Sequence, residues 1–214
     1  MIKGVVIDVD DTIYLERDYV RSGFEAVGAW CREEWGIDEV GSRAWELFLD
    51  GRRRTTLSDA LTASGRPLTE GELQRLIDVY RSHSPRIVPF DDALDFLHRH
   101  LGKVRLGVIT DGPAVSQRAK CAALGLYGIA DPVVITADHG TSKPDPFSYR
   151  LIEEQWGLSG GELVYVADNP AKDFQAPLQL SWHSVRVRRS GSLHFDLTTP
   201  DGVTEVTDLV EVQF

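Results

Sequence analysis

The chain has 214 residues, 42% hydrophobic and 26% charged, a composition ordinary for a globular protein with one core domain and a smaller inserted unit. Its net charge of −10 argues against a nucleic-acid backbone or an anionic membrane as partner, while a phosphorylated small molecule stays possible because local field and metal decide it. Cys31 and Cys121 form no ligand or disulfide pattern, and neither a signal peptide nor a run of ~18 apolar residues is found, so the expected location is cytoplasmic.

Residues 2–8 read as the first strand. Val5, Val6, Ile7 and Val9 are apolar and β-branched, as in a strand buried on both faces of a parallel sheet. Asp8, Asp10 and Asp11 sit at its C-terminal end, where open α/β sheets form their ligand crevice. Carboxylates buried there require a cation or a hydrogen-bond network. From about 18 to 83 the period becomes helical: Val20, Phe24, Val27 and Cys31, then Trp45, Phe48 and Leu49, then Leu73, Leu76, Ile77 and Tyr80. Breakers at Gly36, Gly51 and Gly65-Arg66-Pro67 divide this stretch into about four helices. No ordinary crossover loop is that long, so the spacing predicts a helical insert, residues 15–85, in a core made of 1–14 and 86–214.

Helix and strand then alternate. Helices are expected over 91–101, 113–124 and 146–156, with a short one starting at Pro170. Strands are expected over 104–110, 132–136, 162–167 and 183–188, and an element near 206–212 stays unassigned. The order predicts a doubly wound, Rossmann-like, mostly parallel α/β sheet with right-handed crossovers.

The later strand ends carry a second set of polar residues. Thr110 brings a hydroxyl, and Gly112 allows close backbone approach to a ligand. Lys143 brings a cation between Ser142 and Pro144, and Asp168 and Asp173 add two carboxylates. Pro113, Pro146 and Pro170 suit helix starts, with Asp145 and Asn169 as N-caps, and such starts favour anions. Carboxylate and carbonyl oxygens select Mg²⁺, which accepts phosphate oxygen as a further ligand. Phosphoryl transfer needs mainly positioning and charge neutralisation, and these residues could supply both.

These motifs resemble the haloacid dehalogenase superfamily, and the resemblance covers nearly the whole chain. The first motif is Asp8-Val9-Asp10-Asp11-Thr12 and the second is the strand ending Val108-Ile109-Thr110. The third is Ser142-Lys143-Pro144-Asp145-Pro146; the fourth is Val166-Ala167-Asp168-Asn169 with Asp173 downstream. The resemblance implies that Asp8 is the nucleophile that forms an aspartyl-phosphate. It implies that Asp10 is the general acid and later the base, protonated when substrate arrives. Mg²⁺ would be held by the side chains of Asp8 and Asp168 and the main-chain carbonyl of Asp10, with Asp173 in the outer shell. Phosphate would be bound by Asp8, Thr110, Lys143 and the backbone around Asp111 and Gly112. The insert matches the family's helical cap, which closes over the site and selects substrate. Asp10 favours a phosphatase, since the family's dehalogenases lack this second aspartate. Two positions depart from the pattern: Ala167 where Gly is usual, and Asp111 where Asn is frequent. The Asp111 side chain is expected to point outward.

The implied activity is hydrolysis of a small phosphorylated metabolite, a sugar phosphate or nucleotide. A phosphomutase, a phosphoryl-accepting receiver domain or a non-catalytic binding protein are the alternatives; monomer or homodimer is left open. Arg52, Arg53 and Arg54 read as a solvated face or as a clamp on a second part of the substrate. Arg186, Arg188 and Arg189 are expected to end the fifth strand in solvent.

Overall fold

The computed structural model describes residues 1–66 and 68–213; Pro67, in the third breaker, lies outside the described residues. Six strands form one sheet: β1 (Gly4–Ile7), β2 (Arg105–Thr110), β3 (Val133–Ile135), β4 (Leu163–Ala167), β5 (His183–Val187) and β6 (Thr204–Val206). Their spatial order is β3-β2-β1-β4-β5-β6, and every pairing among the described residues is parallel. The strand order reverses at β1, which is the topological switch point where such sheets bind ligands. This is the doubly wound α/β fold expected from the alternation of elements.

The chain divides into two compact units: Met1–Glu16 with Ile87–Phe214, and Arg17–Arg86. In the first unit, Val6, Ile109, Val134 and Tyr165 pack under α7 (Phe147–Trp156) and α8 (Gln175–Gln179). Alternate strand residues, among them Val5, Ile7, Val108 and Val166, are buried as well. That explains why these strands read as continuous apolar runs.

The second unit holds α1 (Glu16–Trp35, its first residue in the other unit), α2 (Val40–Leu49), α3 (Thr56–Ala63) and α4 (Glu70–Ser82). Val20, Phe24, Val27 and Cys31 form one buried stripe of α1, joined by Phe48, Leu61 and Leu76 from the other three helices. Leu49 departs from the expected face: it is 61% exposed, because it ends α2 beside the turn at Gly51. The α1 and α2 backbones meet at Gly28 and Gly41. A Cβ on Gly41 would lie 2.5 Å from the Phe24 carbonyl oxygen. A Thr69–Glu72 capping box starts α4.

Two further helices, α5 (Asp91–His100) and α6 (Ala114–Ala123), lie between the insert and β3 in the chain. The helix expected at Pro170 begins only at Gln175. Asn169 Oδ1 accepts from Ala171 N, and Asp173 Oδ2 accepts from Asn169 N. These local bonds hold a turn that competes with helix, so Asn169 caps a turn and not a helix. The unassigned C-terminal element resolves into β6 and a 3₁₀ turn, Leu209–Glu211.

Candidate active site

Parallel pairing of β1 with β2 and β4 brings Asp8, Thr110 and Asp168 to one edge of the sheet. Carboxylate oxygens of Asp8, Asp168 and Asp173 lie within 4.8 Å of one another, all buried. Lys143, also buried, donates to Asp8 Oδ1 at 2.6 Å and to Asp173 Oδ1 at 2.9 Å. Asp173 is further fixed by Asn169 N at 3.0 Å. Asp168 Oδ2 is buried and has no hydrogen-bond partner among the described residues. With all three ionised, the carboxylates against one ammonium leave an excess of two negative charges. Burial pushes the Asp8 carboxyl up to about 6, against the pull of Lys143. Burial, then the charges of Asp8 and Asp173, drives Asp168 well above the usual carboxylate range. A hard divalent cation fits this donor set: oxygen ligands, an unpartnered carboxylate oxygen and a matching charge deficit.

Asp10 is held differently. Lys120 Nζ reaches both its oxygens, at 2.7 and 2.8 Å. Gln117 Nε2 donates to Oδ2 at 3.1 Å, and the Tyr14 hydroxyl donates to Oδ1. Burial would raise this carboxyl, but Lys120's charge and the hydrogen bonds from Lys120, Tyr14 and Gln117 outweigh it and lower it. In the ligand-free chain Asp10 is therefore an ionised partner of Lys120, whereas the sequence leads one to expect a protonated acid in the substrate complex. Thr110, fully buried, donates its hydroxyl to Gln117 Oε1 at 2.7 Å. Asp11 adopts a positive φ of 53° and accepts from Glu16 N at 2.8 Å and Leu193 N at 2.7 Å. It serves as a strut of the loop. Burial pushes Asp11 to about 6, and burial with the charge of Asp10 pushes Glu16 to about 7.

Asp111 does not point outward. Its Oδ1 accepts from the Thr136 hydroxyl at 2.6 Å, and its Oδ2 pairs with Lys172 at 3.0 Å. The lysine supplied by the fourth motif's turn neutralises it, so the carboxylate costs no repulsion toward a bound anion. Gly112 has φ +142°, and a Cβ there would sit 2.8 Å from Gln117 Nε2. The close approach it permits is to that amide.

Two of the three arginines expected in solvent are buried. Arg186, 1% exposed, donates to the carbonyls of Asp168, His194 and Leu197 and to the Thr199 hydroxyl. Arg189 donates to the Thr12 carbonyl at 2.9 Å and to Asp92 at 2.8 Å. Only Arg188 of the three remains half-exposed, beside Phe195 and Glu205. Together they fasten residues 189–199 to the acidic loop and bring His194 into the cleft, where its ring meets Asn169 Nδ2 at 3.0 Å.

Arg52, Arg53 and Arg54 belong to the helical unit, between α2 and α3. Arg53 stacks on Phe48 and donates to its carbonyl at 2.6 Å; Arg52 lies 3.9 Å from Asp59. Sequence reasoning passed over Tyr14, Glu16, Gln117, Lys120, Lys172 and His194. One signal was available for two of these: Gln117 and Lys120 are three apart on the helix that follows Thr110 and so share a face.

The profile of the haloacid dehalogenase-like hydrolase family matches residues 2–180. The glyceraldehyde 3-phosphate phosphatase of Methanocaldococcus jannaschii is 28% identical, over 87% of this chain and 85% of its own. The (S)-2-haloacid dehalogenase of Xanthobacter autotrophicus is 26% identical, over 79% of this chain and 68% of its own. A magnesium-bound HAD-hydrolase, YfnB of Bacillus subtilis, has a similar fold with a TM-score of 0.72 at 17% identity, covering 98% of this chain and 96% of the other. Among the described residues no helix is long and apolar enough to cross a membrane.

Proposed function

This chain belongs to the haloacid dehalogenase-like hydrolase family, and on that footing we propose that it is a Mg²⁺-dependent phosphomonoester hydrolase of a small phosphorylated metabolite. The observation that carries the reading is the buried trio Asp8, Asp168 and Asp173, with one oxygen of Asp168 unpartnered and Lys143 on the other two residues. Phosphatases among the relatives support the reaction type.

In this reading an oxygen of Asp8 attacks phosphorus. A P–O bond to Asp8 forms, the ester P–O bond breaks with its electron pair, and the leaving oxygen takes a proton from Asp10. Water then gives its proton to Asp10 and attacks the same phosphorus, and the bond to Asp8 breaks. The negative charge of an incoming phosphate opposes Lys120's hold on Asp10 and raises its affinity for the proton. Lys143 orients Asp8 and faces a phosphoryl oxygen; the others are received by the backbone N–H groups at Asp111 and Gly112 and by the Thr110 hydroxyl, which turns from Gln117 Oε1 to do so. Asp8, Asp168 and the Asp10 carbonyl would hold the ion, with Asp173 supporting them; Mg²⁺ there would supply positive charge to offset the carboxylates and the phosphoryl group. The helical unit is assigned the selection of substrate, with the Arg52–Arg54 run as its candidate contact. Location in the cytoplasm belongs to the same reading.

A second reading has a specific observation behind it, the dehalogenase relative. Asp8 and Lys143 would serve carbon–halogen substitution equally well. Asp10 and the Asp168–Asp173 pair support phosphate. The test is phosphate release from an aryl phosphate, sugar phosphates and nucleotides, beside halide release from a 2-haloacid. Wild type is run with Mg²⁺ and with EDTA, and Asp8→Asn with Mg²⁺. Phosphate release lost in both EDTA and Asp8→Asn supports the proposal; halide release insensitive to EDTA, with no phosphate release, overturns it.

A further inference from the structure

Behind Asp10 stands a donor set on α6. Gln117 and Lys120, one face apart by three residues, approach Asp10 from a helix more than a hundred residues downstream. Lys120 is 3% exposed and divides its ammonium between both Asp10 oxygens. Gln117 takes the Thr110 hydroxyl on one end of its amide and gives a hydrogen bond to Asp10 with the other. Stability alone does not account for such an arrangement, since well-packed apolar groups commonly replace a buried ion pair without loss. A carboxylate has two soft torsions, and donors to both oxygens remove that freedom.

We propose that Lys120 and Gln117 are positioning residues that fix the Asp10 carboxylate where it exchanges a proton with the leaving-group oxygen. They thereby determine how well the enzyme hydrolyses esters whose leaving alcohol needs that proton. The inference rests on the phosphatase reading above and assigns no contact with substrate to either residue.

The measurement is kcat/KM on two esters, glycerol 2-phosphate and p-nitrophenyl phosphate, with saturating Mg²⁺. An alkoxide leaves poorly without a proton, whereas nitrophenolate leaves as a stable anion. Lys120→Met is expected to lower the alkyl ester rate about 100-fold and the aryl rate about 3-fold, in line with what a general acid contributes. Gln117→Leu is expected to lower the alkyl-to-aryl ratio about 10-fold, and Lys120→Arg to restore part of it. A packing role would lower both esters equally, so equal losses overturn the inference, as does an unchanged ratio. Circular dichroism checks folding; should Lys120→Met be unfolded, the ratio in Gln117→Leu decides alone. Wild type inactive on both esters and on the sugar phosphates and nucleotides above would remove the phosphatase reading itself. Wild type active on both, with variants of unchanged ratio, removes only the positioning role.

Discussion

Replacing Asp168 with Asn separates the electrostatics of the site from its chemistry. Asp168 is buried, one oxygen has no partner, and its neighbours Asp8 and Asp173 are within 4.8 Å. At that distance and an effective dielectric of ~20, two like charges repel by about 3.5 kcal/mol. Two such neighbours, offset by the single charge of Lys143, leave about one repulsion of this size. Uptake of a proton by Asp168 already relieves part of it. Asp168→Asn should therefore stabilise the ion-free protein by about 1–3 kcal/mol. At about 2–4 °C per kcal/mol for a chain of this size, the melting temperature in EDTA should rise by ~2 to ~12 °C. Mg²⁺ at about 100 times its dissociation constant should add ~2.7 kcal/mol to the wild type and little to the variant, so the order of stability narrows or reverses. Thermal melts of both proteins in EDTA and across a Mg²⁺ series supply the assay. A variant less stable than wild type in EDTA, or one that answers Mg²⁺ as wild type does, would refute the reasoning.

The ion-free protein should also show an unusual pH dependence. Asp11 moves from 3.8 to about 6 and Glu16 from 4.5 to about 7, so the folded chain binds protons more tightly and stability falls as pH rises from about 4 to about 7. Asp11 alone accounts for about 3 kcal/mol. Asp92 and Asp111, held low, contribute in the opposite sense only as pH falls below their unfolded value. Melting temperatures in EDTA should thus peak near pH 4–5, and a steady climb to pH 7.5 would contradict the burial of these carboxyls. Arg186→Met strips a buried guanidinium from five acceptors and should destabilise by about 3 kcal/mol, with Arg186→Lys recovering less than half in denaturant titration. Gly41→Ala drives a Cβ into the Phe24 carbonyl and should cost about 1–3 kcal/mol. Hydrogen exchange should then quicken over 17–86 and stay slow in β1 and β4.

How much of this was legible depended on whether a residue's partner is local. β1 could be read because its burial shows in its own composition, and Asp8, Lys143 and Asp168 because each ends a recognisable strand or turn. Arg186 and Arg189 misled because charge at a strand end ordinarily means solvent. Here, the His194 and Leu197 carbonyls of a loop with no periodic signal receive Arg186, and the Thr12 carbonyl and Asp92 receive Arg189. Asp111 turned inward because Lys172, sixty-one residues away, neutralises it. The delayed start of α8 followed from Asp173 serving the backbone of Asn169. Propensity favoured a helix at Pro170, and the site's own carboxylate overrode it.

The hydrogen bond from Arg189 to the Thr12 carbonyl spans 177 residues, and that from Leu193 to Asp11 spans 182. For a chain made from its N-terminus this fixes an order of events. The acidic loop is synthesised well before its struts at Arg189 and Leu193. Until the segment around Leu193 has emerged, the loop has Glu16 N but lacks the donors from Arg189 and Leu193. On the ribosome, the acidic loop thus waits on donors that are made long after it. A chain broken off near residue 180 would keep Asp8, Lys143, Asp168 and Asp173 and would still lack the donors that hold Asp11 and Thr12.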